Sequence, residues 1–362
     1  MAKKLRIFVA TDTTPNAAFE SNIWRVNLVL PLIDLGHDVI EFKYDLRQTF
    51  QFVDHTVPGM QAFIDQNRPK VSAALLTQIK EAHKQKPIDL FFSYFYDACV
   101  AAETIDEIKS LSIATMNWYC NGSYQMHLIE KLAPHYDWCL VPEKFRMEDY
   151  KRLGAKPIYC QEAANPNVYK PYDVKRDTEV SFVGQCYGNR PDYIQYLWSQ
   201  EIDLRVAGAN WQNSKLPEVK FLQRQLYQQN KKPSDYLGGV INDLQMIQMF
   251  SRSKINLGFS VCGWTHLEKN RILQIRLRDF EVPMSGGFYM VEWMKDLEEF
   301  FKIGEEIICY EGPKDLAEKI KYYLSHDSER EKIREAGFKR AQRDHTWQKR
   351  FDQAFKETGL LQ

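Results

Sequence analysis

Short apolar runs alternate with amphipathic stretches along most of the chain, in the order expected for buried strands followed by helices. Residues 7–10 form a continuous apolar run, which is typical of a strand buried on both faces of a parallel sheet. A helix is predicted over 24–35, because its leucines recur on one face and a glycine follows them. Residues 39–42 supply the next strand, so the pattern predicts a βαβ unit.

The same pattern recurs through the rest of the chain. Further strands are predicted at 90–93, 113–118, 138–141, 179–184, 203–208, 254–259, 288–291 and 306–310. Helical patterns separate most of these runs, and strands that alternate with helices usually form a parallel sheet covered on both faces. The sequence therefore predicts an α/β fold with parallel sheets.

A segment rich in proline and asparagine interrupts the pattern at 161–172, where no apolar period is present. This composition is typical of a linker. We therefore expect an N-terminal domain at 1–165, a C-terminal domain at 166–345 and a terminal helix at 346–362 that packs back on the N-terminal domain. Two such domains predict a ligand cleft between their sheets, lined by strand-end loops such as 11–21.

The C-terminal third is predicted to be helical. An apolar period marks one helix over 316–324. The next helix is predicted to begin at a capping box formed by Ser328 and Glu331 and to end at Gly337.

Length and composition exclude several classes of function. The chain has 362 residues, more than one core normally serves, and its 48 basic and 48 acidic residues balance. Nucleic acid and anionic membranes are therefore not expected as main partners. Seven cysteines without a CxxC pair or zinc signature indicate reduced thiols. The first apolar run is too short for a signal peptide and none reaches transmembrane length, so a cytoplasmic protein is expected.

The segment with the strongest chemical signal is a short predicted helix. Leu273 and Phe280 lie seven apart on one face, and Pro283 is predicted to end the helix. Arg278 and Glu281 lie three apart on a neighbouring face. A guanidinium suits phosphate oxygens, and a carboxylate accepts from two adjacent sugar hydroxyls. The alternative is an ordinary surface ion pair.

The second domain opens with a strand that runs into a glycine turn. Gly184 ends this strand and Arg190 follows at the start of a helix. Such a turn can hold a phosphate, because glycine lets backbone amides approach and the helix start carries partial positive charge. Glycine-bearing ends of other elements suit a nucleobase, and the candidates there are Gly208, Tyr236, Gly238 and Val240. Plain turns and a solvated arginine are the alternative.

Aromatic and amide side chains lie at predicted strand ends of the first domain. Sugars stack on aromatic rings and bind to amides, so the candidates for acceptor or sugar contacts are Asn22, Trp24, Asn117 and Trp118. The two tryptophans fit a core or interface position equally well. Asp97 and Asp12 follow two other strands and are candidates for a general base, with helix capping as the alternative.

Several segments together resemble one family, the CgeB-like glycosyltransferases of the spore-maturation protein type, which have the GT-B architecture of two Rossmann-like domains. The matching segments are 22–38, 117–119, 164–166, 181–190, 254–257, 277–281, 286–288, 301–306 and 345–346. Each motif is loose, and their order and spacing as a set carry the resemblance.

The resemblance implies a transferase that takes a sugar from a UDP-, TDP- or GDP-linked donor bound mainly by the C-terminal domain. It implies that Glu281 holds the ribose hydroxyls. The residues implied at the donor diphosphate are Gly184, Arg190, Arg278, Gly286 and Gly287. Retaining enzymes of this architecture often carry a second Glu eight residues before the ribose Glu, and this chain has Leu273 there.

The resemblance also implies a reaction without a metal or a cofactor, on a glycan, protein or small-molecule acceptor. Retention of configuration is slightly favoured, because the leaving phosphate can then take the acceptor proton. Inversion would require Asp97 or Asp12 as the base. Two alternatives stay open, a nucleotide-sugar epimerase of the same fold and a non-catalytic protein that binds a nucleotide sugar or a glycan.

Overall fold

The computed structural model of the chain describes residues 3–12, 22–213, 215–263, 265–267, 269 and 271–361. The described residues divide into two compact units. Unit 1 contains residues 3–12, Asn22–Glu162 and 347–361, and unit 2 contains the described part of Ala163–Thr346. Most of the strand-end loop predicted at 11–21 lies outside the described residues.

Unit 1 is built on a six-stranded parallel sheet. Its strands are β1 (Arg6–Ala10), β2 (Asp38–Glu41), β3 (Leu90–Ser93), β4 (Ala114–Trp118), β5 (Trp138–Val141) and β6 (Pro157–Tyr159). Their order is β2-β1-β3-β4-β5-β6. Phe8 of β1 pairs with Ile40 on one side and with Phe91 on the other, so apolar side chains line up across the sheet.

Helices cover the sheet of unit 1. They are α1 (Leu30–Asp34), preceded by a π-helical turn (Arg25–Val29), α2 (Pro58–Gln85), α3 (Ala102–Ser110), α4 (Gly122–Gln125) and α5 (Met147–Arg152), with 3-10 turns at Met126–Leu128, Ala133–His135 and Lys144–Arg146. The last helix of the chain, Trp347–Glu357, also belongs to unit 1. Its Trp347 packs edge-on to Trp118 with ring centroids 5.1 Å apart, which adds large apolar side chains to the core.

Unit 2 is built on a second six-stranded parallel sheet. Its strands are β7 (Thr178–Val183), β8 (Leu204–Ala207), β9 (Leu237–Gly238), β10 (Ser253–Gly258), β11 (Tyr289–Glu292) and β12 (Ile308–Tyr310), in the order β12-β11-β10-β7-β8-β9. Its helices are α6 (Arg190–Ser199), α7 (Pro217–Gln228), α8 (Pro233–Tyr236), α9 (Asp243–Arg252), α10 (Leu277–Met284), α11 (Pro313–Ser325) and α12 (Asp327–Asp344), with 3-10 turns at Thr265–Leu267 and Lys295–Glu299. The helix at Trp347–Glu357 is therefore α13.

Each sheet reverses its strand order once. In unit 1 the reversal lies between β1 and β3, and in unit 2 it lies between β7 and β10. Open parallel sheets bind ligands outside the carboxyl ends of their strands at such a point, so each unit has one favoured edge for polar chemistry. In the described part of the chain, no helix has both the length and the apolar character needed to cross a bilayer.

The bounds of α10 differ from the prediction. The helix begins at Leu277, and Leu273 lies before it, where it forms an isolated bridge with Val261. Pro283 lies inside the helix, which ends one residue later at Met284. A proline in the last turn removes only one backbone hydrogen bond, so it does not end this helix as early as its sequence position predicts.

The bounds of α12 also differ. The helix begins at Asp327, its cap residue His326 makes no side-chain capping bond, and Glu331 pairs instead with Arg334 at 2.8 Å. The helix runs past Gly337. A Cβ atom at Gly337 would collide with the carbonyl oxygen of Glu306, so this glycine serves close packing rather than helix termination.

Candidate functional site

The carboxyl ends of the strands of unit 2 bring together most of the residues that the sequence singled out. Helix α6 begins at Arg190 soon after β7, and α10 begins at Leu277 after β10. Because each helix of a parallel sheet begins on the side where a strand ends, both helix starts lie at this edge. We call it the carboxyl edge of unit 2, defined by residues 184–190, 276–281 and 292.

The pair formed by Arg278 and Glu281 lies at this edge. Nη1 of Arg278 donates to Oε2 of Glu281, and its Nε donates to the carbonyl oxygen of Val183 at 3.4 Å. The Glu281 side chain is fully buried, whereas that of Arg278 is 26% exposed. Within the described residues, Oε1 of Glu281 has no hydrogen-bond partner. The interpretation as an ordinary surface ion pair is therefore wrong, because the carboxylate is buried and keeps an unused acceptor.

Arg190 is a buried cation held by neutral groups. It donates to the carbonyl oxygen of Gln185 and to the hydroxyl of Tyr187, both at 2.8 Å, and its guanidinium lies 3.9 Å from the Tyr187 ring centroid. No carboxylate in the described residues forms an ion pair with it. Burial lowers the pKa of Arg190 to about 10, and the charge of Arg276 makes a smaller contribution to that shift. A buried cation without a carboxylate is costly, so this position favours an anionic ligand.

Glycines let the backbones approach closely at the neighbouring strand ends. The Gly184 N–H donates to the carbonyl oxygen of Ala207 at 2.9 Å, and the Gly208 N–H donates to that of Gly239 at 2.9 Å. Gly208 has a φ of +140°, and a Cβ atom there would collide with the carbonyl group of Gly184. Gly238 ends β9 and pairs with Ala207. The structure thus brings Gly184, Gly208 and Gly238 together as one stretch of partly exposed backbone.

Tyr236 does not complete this stretch in the predicted way. The Tyr236 ring packs edge-on to Trp198, with centroids 6.2 Å apart, and interacts with Asp203. Trp198 lies near the end of α6 and Asp203 precedes β8, so this ring faces the amino ends of the strands. The assignment of Tyr236 to the nucleobase is therefore corrected. Val240 is exposed just beyond the end of β9, so its assignment to the nucleobase stays a prediction.

Gly286 and Gly287 also lie away from the carboxyl edge. They follow the C-terminal end of α10, a helix of 8 residues that is about 12 Å long at 1.5 Å per residue, whereas Arg278 lies in its first turn. A Cβ atom at Gly287 would lie 2.7 Å from Val282, and one at Gly286 would lie 2.9 Å from Pro171. These glycines allow close packing near the start of β11, so the structure does not group them with Arg190 at a diphosphate.

Asp279 was not predicted, and it anchors the start of α10. Its carboxylate accepts from the main-chain N–H of Arg276 and from the hydroxyl of Tyr289, both at 2.7 Å. Burial raises the pKa of Asp279 to about 6, and the Tyr289 hydrogen bond opposes that shift. The contact ties the first turn of α10 to β11 and so positions Arg278 and Glu281.

Glu292 was also not predicted. It is the last residue of β11, one position beyond the predicted strand, and its side chain is 3% exposed. Nη1 of Arg271 lies 2.8 Å from its Oε1. Burial raises the pKa of Glu292, while the charge of Arg271 and the main-chain amide of Ser260 oppose the shift. The only sequence signal was a carboxylate directly after an apolar run.

In unit 1 the structure uses two of the predicted sugar contacts internally. Asn117 Oδ1 accepts from Ser93 Oγ at 2.8 Å and from the Phe95 N–H at 2.9 Å, and its Nδ2 donates to the Phe95 carbonyl oxygen at 3.0 Å. Trp118 is fully buried and donates to the Cys160 carbonyl oxygen at 3.2 Å. Both side chains are part of the core, which corrects their assignment to a sugar.

The other two predicted sugar contacts are more accessible. The Trp24 ring is partly exposed and lies 4.2 Å from the Tyr94 ring centroid. Asn22 precedes the π-helical turn, and its carbonyl oxygen accepts from the Val26 N–H at 2.9 Å. Only Trp24 therefore offers an aromatic surface beyond its own packing.

The two candidate bases lie beside the strand reversal of unit 1. Asp12 is buried after β1. Asp97 is 4% exposed after β3, and its Oδ2 accepts from the Lys131 N–H at 3.4 Å. Within the described residues, its Oδ1 has no hydrogen-bond partner. Burial raises the pKa of Asp97 to about 6, which is in the range that suits proton transfer near neutral pH.

Part of the chain is similar to a known protein family. Residues 192–356 match the family model described as glycosyl transferase-like, which runs from α6 to α13. A comparison of the sequence with curated proteins gives no match. The chain therefore carries a glycosyltransferase-like segment, and its assignment to the CgeB-like subtype stays a prediction.

Solved structures match the whole chain at low identity. Sucrose-phosphate synthase from Thermosynechococcus elongatus is 13% identical, with a TM-score of 0.65 over 99% of this chain and 100% of that one. HepE from Anabaena, in complex with UDP and glucose, is 11% identical, with a TM-score of 0.63 over 98% and 99%. A protein from Listeria monocytogenes assigned as a UDP-N-acetylglucosamine 2-epimerase is 12% identical, with a TM-score of 0.56 over 94% and 95%. The predicted α/β fold of GT-B type, with two Rossmann-like domains, is confirmed.

Proposed function

We propose that this protein is a glycosyltransferase that moves a sugar from a nucleoside-diphosphate sugar to an acceptor hydroxyl. The observation that carries the proposal is the pair of Arg278 and Glu281 at the carboxyl edge of unit 2, where the buried carboxylate keeps Oε1 unused among the described residues. The match of residues 192–356 to a glycosyl transferase-like family supports it.

In this proposal the donor lies along the carboxyl edge of unit 2. Glu281 accepts hydrogen bonds from the two ribose hydroxyls, and Arg278 and Arg190 donate to the diphosphate. The partly exposed backbone at Gly184 and Gly208 supports the nucleobase. We place UDP first among UDP, TDP and GDP, because the HepE structure contains UDP and the Listeria protein is named for a UDP-linked sugar.

The chemical step breaks the bond between the sugar C1 and the β-phosphate oxygen. Negative charge then develops on the leaving phosphate, and Arg190, Arg278 and the main-chain amides at the start of α6 stabilise it. We propose that these groups act without a metal ion. In a retaining reaction the phosphate oxygen takes the acceptor proton, and we favour this route slightly. In an inverting reaction Asp97 or Asp12 takes the proton.

We propose that unit 1 binds the acceptor, a glycan, a protein or a small molecule, and that the enzyme works in the cytoplasm. Its seven cysteines are all free and buried, which suits a reducing compartment. Burial raises the pKa of Cys139 and of Cys160 to about 12, so these thiols stay protonated and unreactive.

A thermal-shift screen with UDP, TDP, GDP and their sugar conjugates tests the donor site. A ligand that binds only the folded state and is present at a concentration of about 100 times its Kd stabilises the protein by about 2.7 kcal/mol. One nucleotide series is therefore expected to raise the melting temperature. The same shift is expected with and without EDTA. If no nucleotide stabilises the protein, the donor site is wrong.

An epimerase is the second candidate, because the Listeria structure shares the fold and the pKa of Asp97 is raised to about 6. Incubation of the protein with a UDP-sugar alone in deuterium oxide distinguishes the two. An isomerised, deuterium-labelled sugar would favour the epimerase, whereas an unchanged sugar that is transferred once an acceptor is added would favour the transferase. Nucleotide binding without either reaction would favour a non-catalytic binding protein.

A further inference from the structure

Glu292 is a buried carboxylate at the carboxyl edge that the proposed chemistry does not use. Its side chain is 3% exposed, Arg271 pairs with its Oε1, and within the described residues its Oε2 has no hydrogen-bond partner. A buried carboxylate normally satisfies several acceptor sites through hydrogen bonds. Glu292 therefore carries acceptor capacity that the described part of the protein leaves unused.

Arg271 is positioned to neutralise this carboxylate and to move away from it. Its Nη1 lies 2.8 Å from Oε1 of Glu292, but its side chain is 49% exposed. Arg271 lies outside helices and strands, so its half-exposed side chain can turn toward solvent and let another group reach Glu292. Arg271 thus pairs with Glu292 but can be replaced by a ligand group.

The surroundings of Glu292 suit a sugar ring next to a phosphate. The charge of Glu292 acts on Tyr193 and on Tyr310, and the two rings lie 5.9 Å apart. Tyr193 is three residues after Arg190 on α6, which places both on one side of that helix. A sugar bonded to a phosphate at Arg190 would therefore lie near the Glu292 carboxylate, and the two tyrosine rings, which are buried, pack behind that carboxylate and do not stack on the sugar.

We propose that Glu292 binds hydroxyl groups of the sugar portion of the donor, with Arg271 as the residue that positions the carboxylate. The proposal rests on the proposed donor site and names its substrate class, a neutral sugar with free hydroxyls. A carboxylate accepts hydrogen bonds from two adjacent hydroxyls at once, whereas a ligand that ends at the β-phosphate offers it nothing. Glu292 thereby recognises the sugar and not the nucleotide.

Titration calorimetry with UDP, UDP-glucose, UDP-galactose and UDP-N-acetylglucosamine tests this role on the full chain. Glu292→Gln should raise the Kd of the tightest-binding UDP-sugar at least about tenfold and change the Kd of UDP by less than about twofold. The unchanged UDP affinity also shows that the variant is folded. Glu298→Gln, which alters an exposed carboxylate soon after the same strand, should change neither Kd.

Arg271→Gln provides a second test on a half-exposed side chain. Loss of its charge raises the pKa of Glu292, so when the pH is lowered from neutral the UDP-sugar affinity should begin to fall at a higher pH in the variant than in the wild type. Tyr193 and Tyr310, which face Glu292 from α6 and β12, stay neutral there because burial raises the pKa of both. The affinity for UDP should show no such difference between the two proteins.

The outcomes separate this inference from the proposed function. Equal effects of Glu292→Gln on UDP and on the UDP-sugars, or no effect on either, would overturn the role of Glu292 and leave the donor site standing. If the wild-type protein binds neither UDP nor a UDP-sugar, the proposed donor site is wrong, and the role of Glu292 is overturned with it.

Discussion

The two units build the same kind of sheet but use the polar residues at their strand ends differently. In unit 1, Ser93 and Asn117 bind each other and the backbone of Phe95, and both are buried. In unit 2, Glu281 and Glu292 are equally buried, but each keeps at least one oxygen without a hydrogen-bond partner among the described residues. In unit 1, neutral amide and hydroxyl groups satisfy one another's hydrogen bonds. In unit 2, charged groups at the carboxyl edge keep acceptors that no described residue uses.

This contrast shows that a polar residue after a buried strand is not by itself evidence of a site. Asn117 and Glu281 both lie near the edge of their sheet where ligands usually bind. Only Glu281 has an oxygen atom without a hydrogen-bond partner among the described residues. Unsatisfied buried groups cost about 1–3 kcal/mol each, so a protein retains them where a ligand completes them. Asp97 is the exception in unit 1, because its Oδ1 also has no partner within the described residues.

The largest expected effect breaks the internal network of unit 1. Asn117→Ala leaves the N–H and the carbonyl group of Phe95 buried without partners, so the free energy of unfolding of unit 1 should fall by about 3 kcal/mol. Hydrogen exchange at the amides of β3 and β4 measures it. The affinity of unit 2 for UDP should not change. Gln51→Ala, at an exposed position, should alter neither quantity; a loss of UDP affinity in Asn117→Ala would contradict the comparison.

The second-largest effect is expected when the unused acceptor of Glu281 in unit 2 is removed. Glu281→Ala deletes two expected hydrogen bonds to ribose hydroxyls, so the Kd for UDP should rise about 30- to 100-fold, which corresponds to about 2–3 kcal/mol. Titration calorimetry measures it, with Glu305→Ala on the exposed surface as the control. An unchanged Kd would exclude the ribose role.

A smaller effect distinguishes the contribution of the phosphates to UDP binding from that of the nucleoside. Arg190→Gln keeps a hydrogen-bond donor but removes the charge, so the Kd for UDP should rise about tenfold while weak binding of uridine stays the same. Competition against a fluorescent nucleotide measures both ligands. Lys314→Gln, on a side chain that is 83% exposed, serves as the control. A parallel loss of uridine binding would assign Arg190 to the shape of the site and not to the phosphate.

The smallest expected effect concerns Asp97 and pH. Its pKa rises from 3.8 to about 6 in the folded protein, so the favourable contribution of its protonated form is complete below about pH 4 and is lost as the pH rises through about 6. Asp97→Asn stays neutral, so its stability relative to the wild type should increase by on the order of 1 kcal/mol between these pH values. Urea unfolding at several pH values measures it. A difference independent of pH would mean that Asp97 is not buried as a carboxylate.

Most of the fold was accessible from the sequence because buried parallel strands are continuous apolar runs. The strands β3 and β5 have the predicted bounds, and most others differ by one or two residues. The strands β6 and β9 were not predicted, because runs of 3 and 2 residues are too short to show a period. Gly337 was interpreted as a helix end, but its role depends on Glu306, a contact that no local pattern contains.

The candidate site was accessible only in part. Gly184, Arg190 and Arg278 reach one edge because each lies where a strand ends or the next helix begins, which the order of elements already specifies. Gly286 and Gly287 are close to Arg278 in sequence, but α10 carries them to its other end. Glu292 was missed because a single carboxylate has no period.

The sequence by itself determined the elements, their alternation and therefore the class of fold, since these depend on neighbours within a few residues. The tertiary structure decided which polar groups are neutralised and which retain capacity for a ligand. Burial and hydrogen-bond partners come from distant segments, as Ser93 does for Asn117 and Arg271 for Glu292. Whether a polar residue at the edge of a sheet can bind a ligand therefore depends on the residues that the fold places in contact with it.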